Sequence, residues 1–171
     1  MQTNHEHNTS DRMMRRGPRS PWKTRYFIDT EFTDWKDSQL ISIAIVSEDG
    51  REFYGECSDF DLSACSEFVR VTVLPQLGGF PGRSMPASQL AAELRAWLLA
   101  VPLRPKPVLC YDSDCDYALI THLLRGPLPR GWKHENVFLK VDPERFAQYI
   151  AVHGGEHHAL HDARANAFAF R

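Results

Sequence analysis

Three short runs of apolar and aromatic residues lie between residues 25 and 56 of the chain. The first is RYFIDTEF at residues 25–32, and two more lie within QLISIAIVSEDGREFYGE at residues 39–56. The turn signal Glu48-Asp49-Gly50 separates the second run from the third. Aromatic and β-branched residues favour strands, and an Asp-Gly pair favours a tight reversal. The pattern predicts three consecutive strands that form an antiparallel meander.

Helical periodicity dominates the middle of the chain. SEFVRVTVLPQL, residues 66–77, predicts a helix that Pro75 ends or kinks. PASQLAAELRAWLLA, residues 86–100, predicts a clearer helix, because its large apolar residues recur along one stripe. That stripe consists of Leu90, Leu94, Trp97 and Leu98.

Strands and helices then alternate to the end of the chain. KPVLCYD predicts a buried strand, CDYALITHLLRG a helix that ends at Gly126, and HENVFLKVD another strand. PERFAQYIAVHGG predicts a helix that starts at Pro143, and HALHDARANAFAFR predicts the last helix. An opening meander followed by this alternation predicts an α/β domain with a mixed β-sheet flanked by helices.

Length and composition favour one folded domain. The chain has 171 residues, of which 43% are hydrophobic, enough to bury a core. Residues 1–22 lack apolar periodicity and carry several arginines, so they predict a flexible basic arm ahead of a domain at residues 23–171. The net charge of −2 excludes a wholly basic nucleic-acid binder but not a local basic groove.

The cysteines and the hydropathy pattern bear on the cellular compartment. The four cysteines form no CxxC pair, and the chain contains neither a signal-peptide core nor an apolar run of membrane-spanning length. These features predict a reduced, soluble, cytoplasmic protein without a membrane partner.

Two carboxylates follow the first apolar run. Alternate side chains of a strand share a face, so Asp29 and Glu31 project together at the end of the first strand. Two adjacent carboxylates repel, and a hard cation such as Mg²⁺ or Mn²⁺ relieves that repulsion. For an isolated DxE match, a polar strand end that enters solvent is the preferred explanation, because such triplets are common.

A second acidic cluster, in YDSDCDYALI, follows the later buried strand. Its DxDxD spacing suggests a calcium loop, but the turn glycine of such a loop would fall at Tyr117 and its closing glutamate at Leu123. The calcium interpretation therefore fails. Acidic residues are common at the start of helices, and this explanation is preferred for Asp112 and Asp114.

The third cluster is GGEHHALHDAR at residues 154–164. His157 and Asp162 are five residues apart, so they converge only if His157 precedes the helix that carries Asp162. Gly154 and Gly155 allow a flexible entry of that kind. His158 and His161 have adequate structural explanations on the helix.

The ordered combination of DxE, a later Asp116 followed by Leu119 and Ile120, and HxxxxD resembles the DEDDh 3'-5' exonucleases. The resemblance extends from about Tyr26 to the C-terminus. The phrases DTEF, LISIAIVSEDGREFYGE, FVRVTVLPQL and HALHDAR are most similar to the RNase AS type of 3'-5' exoribonuclease. This resemblance implies an RNase H-like fold, which agrees with the predicted meander and α/β alternation.

The resemblance also implies a mechanism and a substrate. Asp29, Glu31, Asp116 and Asp162 would hold two divalent metal ions, Mg²⁺ or its substitute Mn²⁺, and His157 would deprotonate the attacking water. Imidazoles exchange protons near neutral pH, as this role requires. The implied substrate is single-stranded RNA, adenylate-rich in this family and degraded from its 3' end. Phe32 and Thr30 would contact the terminal nucleotide.

Several alternatives stay open at this point. Asp112 or Asp114 could replace Asp116, DNA could replace RNA, and the chain could form a homodimer, as related enzymes commonly do. A zinc hydrolase that uses His153, His157 and His161 is a rival enzyme, although the chain lacks an HExxH motif. A nucleic-acid-binding domain that has the fold but no activity is a rival of another class.

Overall fold

A computed structural model describes residues 20–171 of the chain. The predicted basic arm at residues 1–22 therefore lies outside the described residues, except for its last three positions. Among the helices of the described residues, none combines the length and the apolar character that crossing a bilayer requires.

A six-stranded mixed sheet forms the centre of the domain, with the strand order β4-β3-β2-β1-β5-β6. The first three strands pair antiparallel in the predicted meander, whereas β5 and β6 continue the sheet parallel to β1. A short β4 pairs parallel with β3 at the other edge. The strands are β1 (Lys23–Phe32), β2 (Leu40–Ser47), β3 (Glu52–Cys57), β4 (Ser84–Met85), β5 (Lys106–Tyr111) and β6 (Lys133–Asn136).

Helices cover both faces of the sheet. They are α1 (Ala87–Ala100), α2 (Asp114–Leu123), α3 (Pro143–His153) and α4 (Ala159–Ala169). Apolar residues of α1 and α2 pack with Tyr26 and Ile28 on one face, while α4 packs with Phe27 on the other. Because successive side chains of β1 point to opposite faces of the sheet, they contribute to two separate cores, one on each side. The predicted α/β fold with a mixed sheet flanked by helices is confirmed.

Two segments differ from their predicted structure. The helix predicted at residues 66–77 contains a wide π-helical turn at Val69–Val73, followed by a 3-10 turn at Leu74–Gln76. Its β-branched residues crowd a regular helix, and Pro75 has no N–H to continue one. The strand predicted in HENVFLKVD ends at Asn136, whose side chain accepts a hydrogen bond from the N–H of Phe138.

Candidate active site

Carboxylates from four separate segments converge at the carboxyl ends of β1 and β5. Asp29, Asp112 and Asp116 each offer an oxygen, and these oxygens lie within 4.8 Å of one another. Asp29, Glu31 and Asp162 form a second such triad under the same limit. Asp29 belongs to both triads. The structure therefore brings together all four acidic residues that the sequence singled out, and it adds Asp112.

Local structure explains how β1 and α2 position the first triad. Ser113 caps α2 by accepting a hydrogen bond from the N–H of Cys115, so Asp116 lies in the first helical turn, directly after β5. The Asp116 side chain is only 3% exposed. Its Oδ1 accepts two hydrogen bonds from Thr30, at 3.1 Å from the backbone N–H and at 2.6 Å from the hydroxyl. These donors hold the carboxylate in one orientation.

Burial and mutual repulsion make this cluster costly to ionise. Burial is the largest cause and raises the pKa of Glu31 to about 8 and the pKa values of Asp116 and Asp162 each to about 7. The pKa of Asp29 is raised well above its usual range, first by burial and then by the neighbouring carboxylates. Without cations, the cluster therefore retains protons close to neutral pH.

One atom of the cluster lacks a partner within the described part of the chain. Asp162 Oδ1 is buried and forms no hydrogen bond there, although Oδ2 of the same carboxylate accepts one from the N–H of His157, at 2.9 Å. Leaving a buried acceptor unpaired costs about 1 to 3 kcal/mol. A divalent cation among hard carboxylate oxygens removes both this cost and the repulsion. The residues present therefore fit a divalent metal site.

His157 lies on the loop between α3 and α4, as the sequence predicted. Gly154 and Gly155 precede it with positive φ, and His157 itself has a φ of 63°. Its ring packs edge-on against Phe68, with the ring centroids 5.0 Å apart. Gln76 Nε2 donates to the carbonyl oxygen of His157 at 3.1 Å, which ties the loop to the turn after the π-helical segment. The loop thus contains three residues with positive φ and is held in place by its contacts with Phe68 and Gln76.

His158, the neighbour of His157, has a structural role. His158 is buried and caps α4, since its Nδ1 accepts a hydrogen bond from the N–H of Leu160 at 3.2 Å. Its Nε2 lies 3.2 Å from the hydroxyl of Tyr54, and burial lowers its pKa. Neither triad of possible metal ligands in residues 20–171 contains a histidine. The zinc alternative with His153, His157 and His161 therefore gains no support.

Two aromatic side chains lie at the end of β1 and shortly after it, following Glu31 in the chain. Phe32 is partly buried, and Trp35 packs edge-on against it with the ring centroids 4.9 Å apart. Trp35 is itself 77% exposed. Thr30 is buried beneath Asp116, so a contact between Thr30 and substrate stays a prediction, as does the contact of Phe32. The sequence motifs did not single out Trp35, which lies four residues after Glu31.

The three aspartates after β5 have different environments. Asp112 joins the first triad and also lines an apolar cavity of about 470 Å³, with Phe138 and Asn166 among its walls. Asp114 is exposed and accepts a hydrogen bond from the side chain of Asn136 at 2.9 Å. Both residues were predicted to be acidic residues at the start of a helix. This prediction holds for Asp114, whereas Asp112 faces the other carboxylates.

Sequence comparisons find relatives over part of the chain. No protein-family model matches it. Two proteins of Mycobacterium tuberculosis, from strains CDC 1551 and H37Rv and each named as a 3'-5' exoribonuclease, are 48% identical to it over 67 residues. The match spans 39% of this chain and 36% of each relative.

Structural comparison finds the same fold in exonuclease I. The enzyme of Methylocaldum szegediense aligns with a TM-score of 0.56 and 16% identity, over 84% of this chain and 38% of that one. The Escherichia coli enzyme in complex with a dA16 oligonucleotide aligns with a TM-score of 0.57 and 15% identity, over 85% and 39%. The chain thus has the fold of exonuclease I, and one 67-residue segment of it is similar to the mycobacterial exoribonucleases, of whose length it matches about a third.

Proposed function

We propose that this domain is a 3'-5' exoribonuclease that hydrolyses single-stranded RNA from its 3' end with two divalent cations and a histidine base. The observation that carries the proposal is the pair of carboxylate triads that share Asp29. One triad offers a cation Asp29, Asp112 and Asp116, and the other offers a cation Asp29, Glu31 and Asp162. When bound, Mg²⁺ or Mn²⁺ at such paired sites stabilises the attacking and leaving oxygens of a phosphodiester displacement.

Residues of the chain orient the carboxylates and accept the proton of the attacking water. Thr30 orients Asp116 through two hydrogen bonds, and the N–H of His157 holds one oxygen of Asp162. The His157 imidazole accepts the proton of the attacking water. A bond forms between the water oxygen and phosphorus as the bond to the 3' oxygen of the preceding nucleotide breaks, and that leaving oxygen takes up a proton from solvent. The products are a nucleoside 5'-monophosphate and an RNA with a new 3' hydroxyl.

The loop around His157 supports a role as a mobile base. Its ring rests against Phe68, and two glycines with positive φ precede it. Catalytic loops of this kind complete a site when substrate binds. We propose that the imidazole leaves Phe68 and turns toward the acidic cluster when the 3' end of the RNA is in place.

The choice of RNA rests on the relatives, whereas the aromatic side chains of Phe32 and Trp35 support the binding of a single strand of either kind. The mycobacterial relatives are named as exoribonucleases, while the Escherichia coli structure holds a DNA oligonucleotide. Phe32 and Trp35 offer aromatic surfaces for stacking a terminal base, which is tolerant of sequence. The family resemblance implies a preference for adenylate-rich RNA. A DNA or dual-specificity 3'-5' exonuclease is the second candidate.

The test incubates 5'-labelled single-stranded RNA and DNA, each as oligo(A) and oligo(U) or oligo(T), with Mg²⁺, Mn²⁺ or EDTA. We expect a cation-dependent ladder that shortens from the 3' end, faster on RNA and fastest on oligo(A). Asp29→Ala and His157→Ala should suppress the ladder, and Asp114→Ala serves as a control carboxylate outside the triads. Endonucleolytic products, or full activity of Asp29→Ala, would contradict the mechanism, and faster hydrolysis of DNA would favour the second candidate.

A further inference from the structure

A lysine-rich surface lies at the opposite end of the sheet from the acidic cluster. Lys23 and Lys106 are directly opposite each other where β1 pairs with β5, and Lys133 pairs with Val108 where β5 meets β6. A cavity of about 600 Å³ brings these three lysines together with Trp22. The starts of three parallel strands thus present cations side by side.

The charge of this surface is largely uncompensated. Within residues 20–171, neither Lys106 nor Lys133 forms an ion pair. Lys23 lies 3.9 Å from Glu135, and the same carboxylate also pairs with Lys140. Glu135 also lines this cavity, so its wall carries three lysines and one carboxylate, and the excess positive charge favours an anionic ligand. A chain with a net charge of −2 therefore concentrates positive charge here.

An exposed indole lies within this cationic surface. Trp22 is 83% exposed, and its carbonyl oxygen accepts a hydrogen bond from the N–H of Lys106 at 3.0 Å. Its backbone is therefore fixed while its ring is free to contact a ligand. Cations that track phosphates beside an aromatic ring that stacks on bases are the usual elements of a single-strand binding surface.

The separation of the two sites determines which substrates can reach both. Lys23 and Asp29 lie on the same strand, six residues apart, which corresponds to about 20 Å at 3.3 Å per residue. The edge strand β6 runs from the lysine-rich end of the sheet toward the end that carries the acidic cluster, and the exposed Phe138 and Leu139 follow its last residue. A dinucleotide at the triads does not span this distance, whereas a longer strand does.

We propose that this lysine surface, formed by Trp22, Lys23, Lys106 and Lys133, binds the 5' portion of a single-stranded RNA whose 3' end lies at the carboxylate triads. The inference rests on the proposed exoribonuclease function. It adds a second contact that acts on long substrates alone and raises their affinity without entering the chemistry.

The test compares substrates of two lengths. Binding of a 5'-fluorescein 20-nucleotide oligoadenylate is measured by anisotropy in EDTA, and kcat/KM is measured with Mn²⁺ for this RNA and for the dinucleotide ApA. The variants are Lys106→Glu, Lys133→Glu and Trp22→Ala. Arg83→Glu is the matched control, since Arg83 is exposed, precedes β4 at the opposite edge of the sheet and undergoes the same change of charge.

We expect each of the three variants to weaken binding of the 20-nucleotide RNA about 10-fold, as loss of a phosphate contact or of base stacking does. Each lysine variant should also reduce the slope of log affinity against log salt by about 1. For ApA, kcat/KM should stay within about twofold of the unaltered chain, and Arg83→Glu should match the unaltered chain on both substrates.

Other outcomes overturn the inference. An equal loss in Arg83→Glu would assign the effect to net charge, and an equal loss on ApA would assign it to the acidic site. Lysine-dependent binding to phosphatidylserine vesicles, without an effect on RNA, would identify a membrane surface instead. If the unaltered chain hydrolyses both RNAs and the lysine variants bind normally, the inference alone fails. If the unaltered chain hydrolyses neither, the proposed function fails with it.

Discussion

Thr30 and Asp116 are joined by two hydrogen bonds to one carboxylate oxygen, so the strand that supplies Asp29 also orients a candidate metal ligand from α2. The hydroxyl bond, at 2.6 Å, is the shorter of the two. Residues that orient metal ligands commonly change metal affinity about 10- to 100-fold when they are replaced. Thr30 thereby contributes to the proposed metal site without being a ligand.

Thr30→Val should therefore weaken Mn²⁺ binding about 10-fold, because it keeps the shape of the side chain and removes the hydroxyl donor. Calorimetric titration with Mn²⁺ measures the change directly. Thr30→Ser retains the hydroxyl and should bind Mn²⁺ nearly as tightly as the unaltered chain. Equal affinities for Val and Ser would show that the backbone N–H alone orients Asp116.

Asp112 and Asp114 provide a matched pair of carboxylates two residues apart. Asp112→Asn should lower Mn²⁺ affinity and reduce exonuclease activity about 10-fold or more, because it removes a charged oxygen from the first triad. Asp114→Asn should change neither, because Asp114 is exposed and bonded to Asn136. Ion titration and rates on labelled RNA test both variants, and the reverse order of effects would contradict the assignment of Asp112 to the triad.

The stability of the cation-free domain should fall as the pH rises toward 8. The folded chain retains protons on Glu31, with a pKa of about 8, and on Asp116 and Asp162, each with a pKa of about 7. The unfolded chain releases these protons near pH 4. Because the folded state binds more protons, stability is highest at the acidic end of this window and declines through the raised pKa values.

Divalent cations should reverse this decline, because they replace the bound protons. A cation present at about 100 times its Kd adds about 2.7 kcal/mol, which raises the Tm of a domain of this size by about 5 to 10 °C. We expect this rise from Mn²⁺ at pH 8 and less than half of it at pH 5.5, measured by thermal denaturation with and without EDTA. A rise that does not depend on pH would contradict proton displacement.

Substitution of His157 should reduce activity, whereas substitution of the adjacent His158 should reduce stability. His157→Ala should reduce the rate about 100-fold or more, as loss of a general base does, with little change in Tm because the ring is only partly buried. His158→Ala removes a helix cap and should cost about 1 to 2 kcal/mol of stability. Thermal denaturation and initial rates distinguish them, and a fully active His157→Ala would exclude this residue as the base.

Much of the fold follows from local patterns in the sequence. The period of two along β1 predicts that Asp29 and Glu31 share a face, and the two glycines before His157 predict a helix that begins after it. Both features depend on neighbouring residues alone. The short pairing of β4 with β3 rests on two backbone contacts and carries no comparable pattern.

The parts of the site that the sequence did not predict depend on distant contacts. Asp112 faces Asp29 because of the turn from β5 into α2, whose geometry is set by the cap at Ser113. Phe68 meets His157 through the packing of two segments far apart in the chain. The wide turn at Val69–Val73 supports that packing, and helix propensity alone does not distinguish it from a regular helix.

The carboxylate of Asp29 belongs to both triads, so two cations bound there would be coupled through the proton that this carboxylate retains. Its raised pKa means that the first cation to bind must expel the proton that this side chain retains. The second cation then meets a carboxylate that is already charged. The proton of Asp29 should therefore be released with the first equivalent of metal, so that a weakly buffered solution acidifies early in a titration with Mn²⁺.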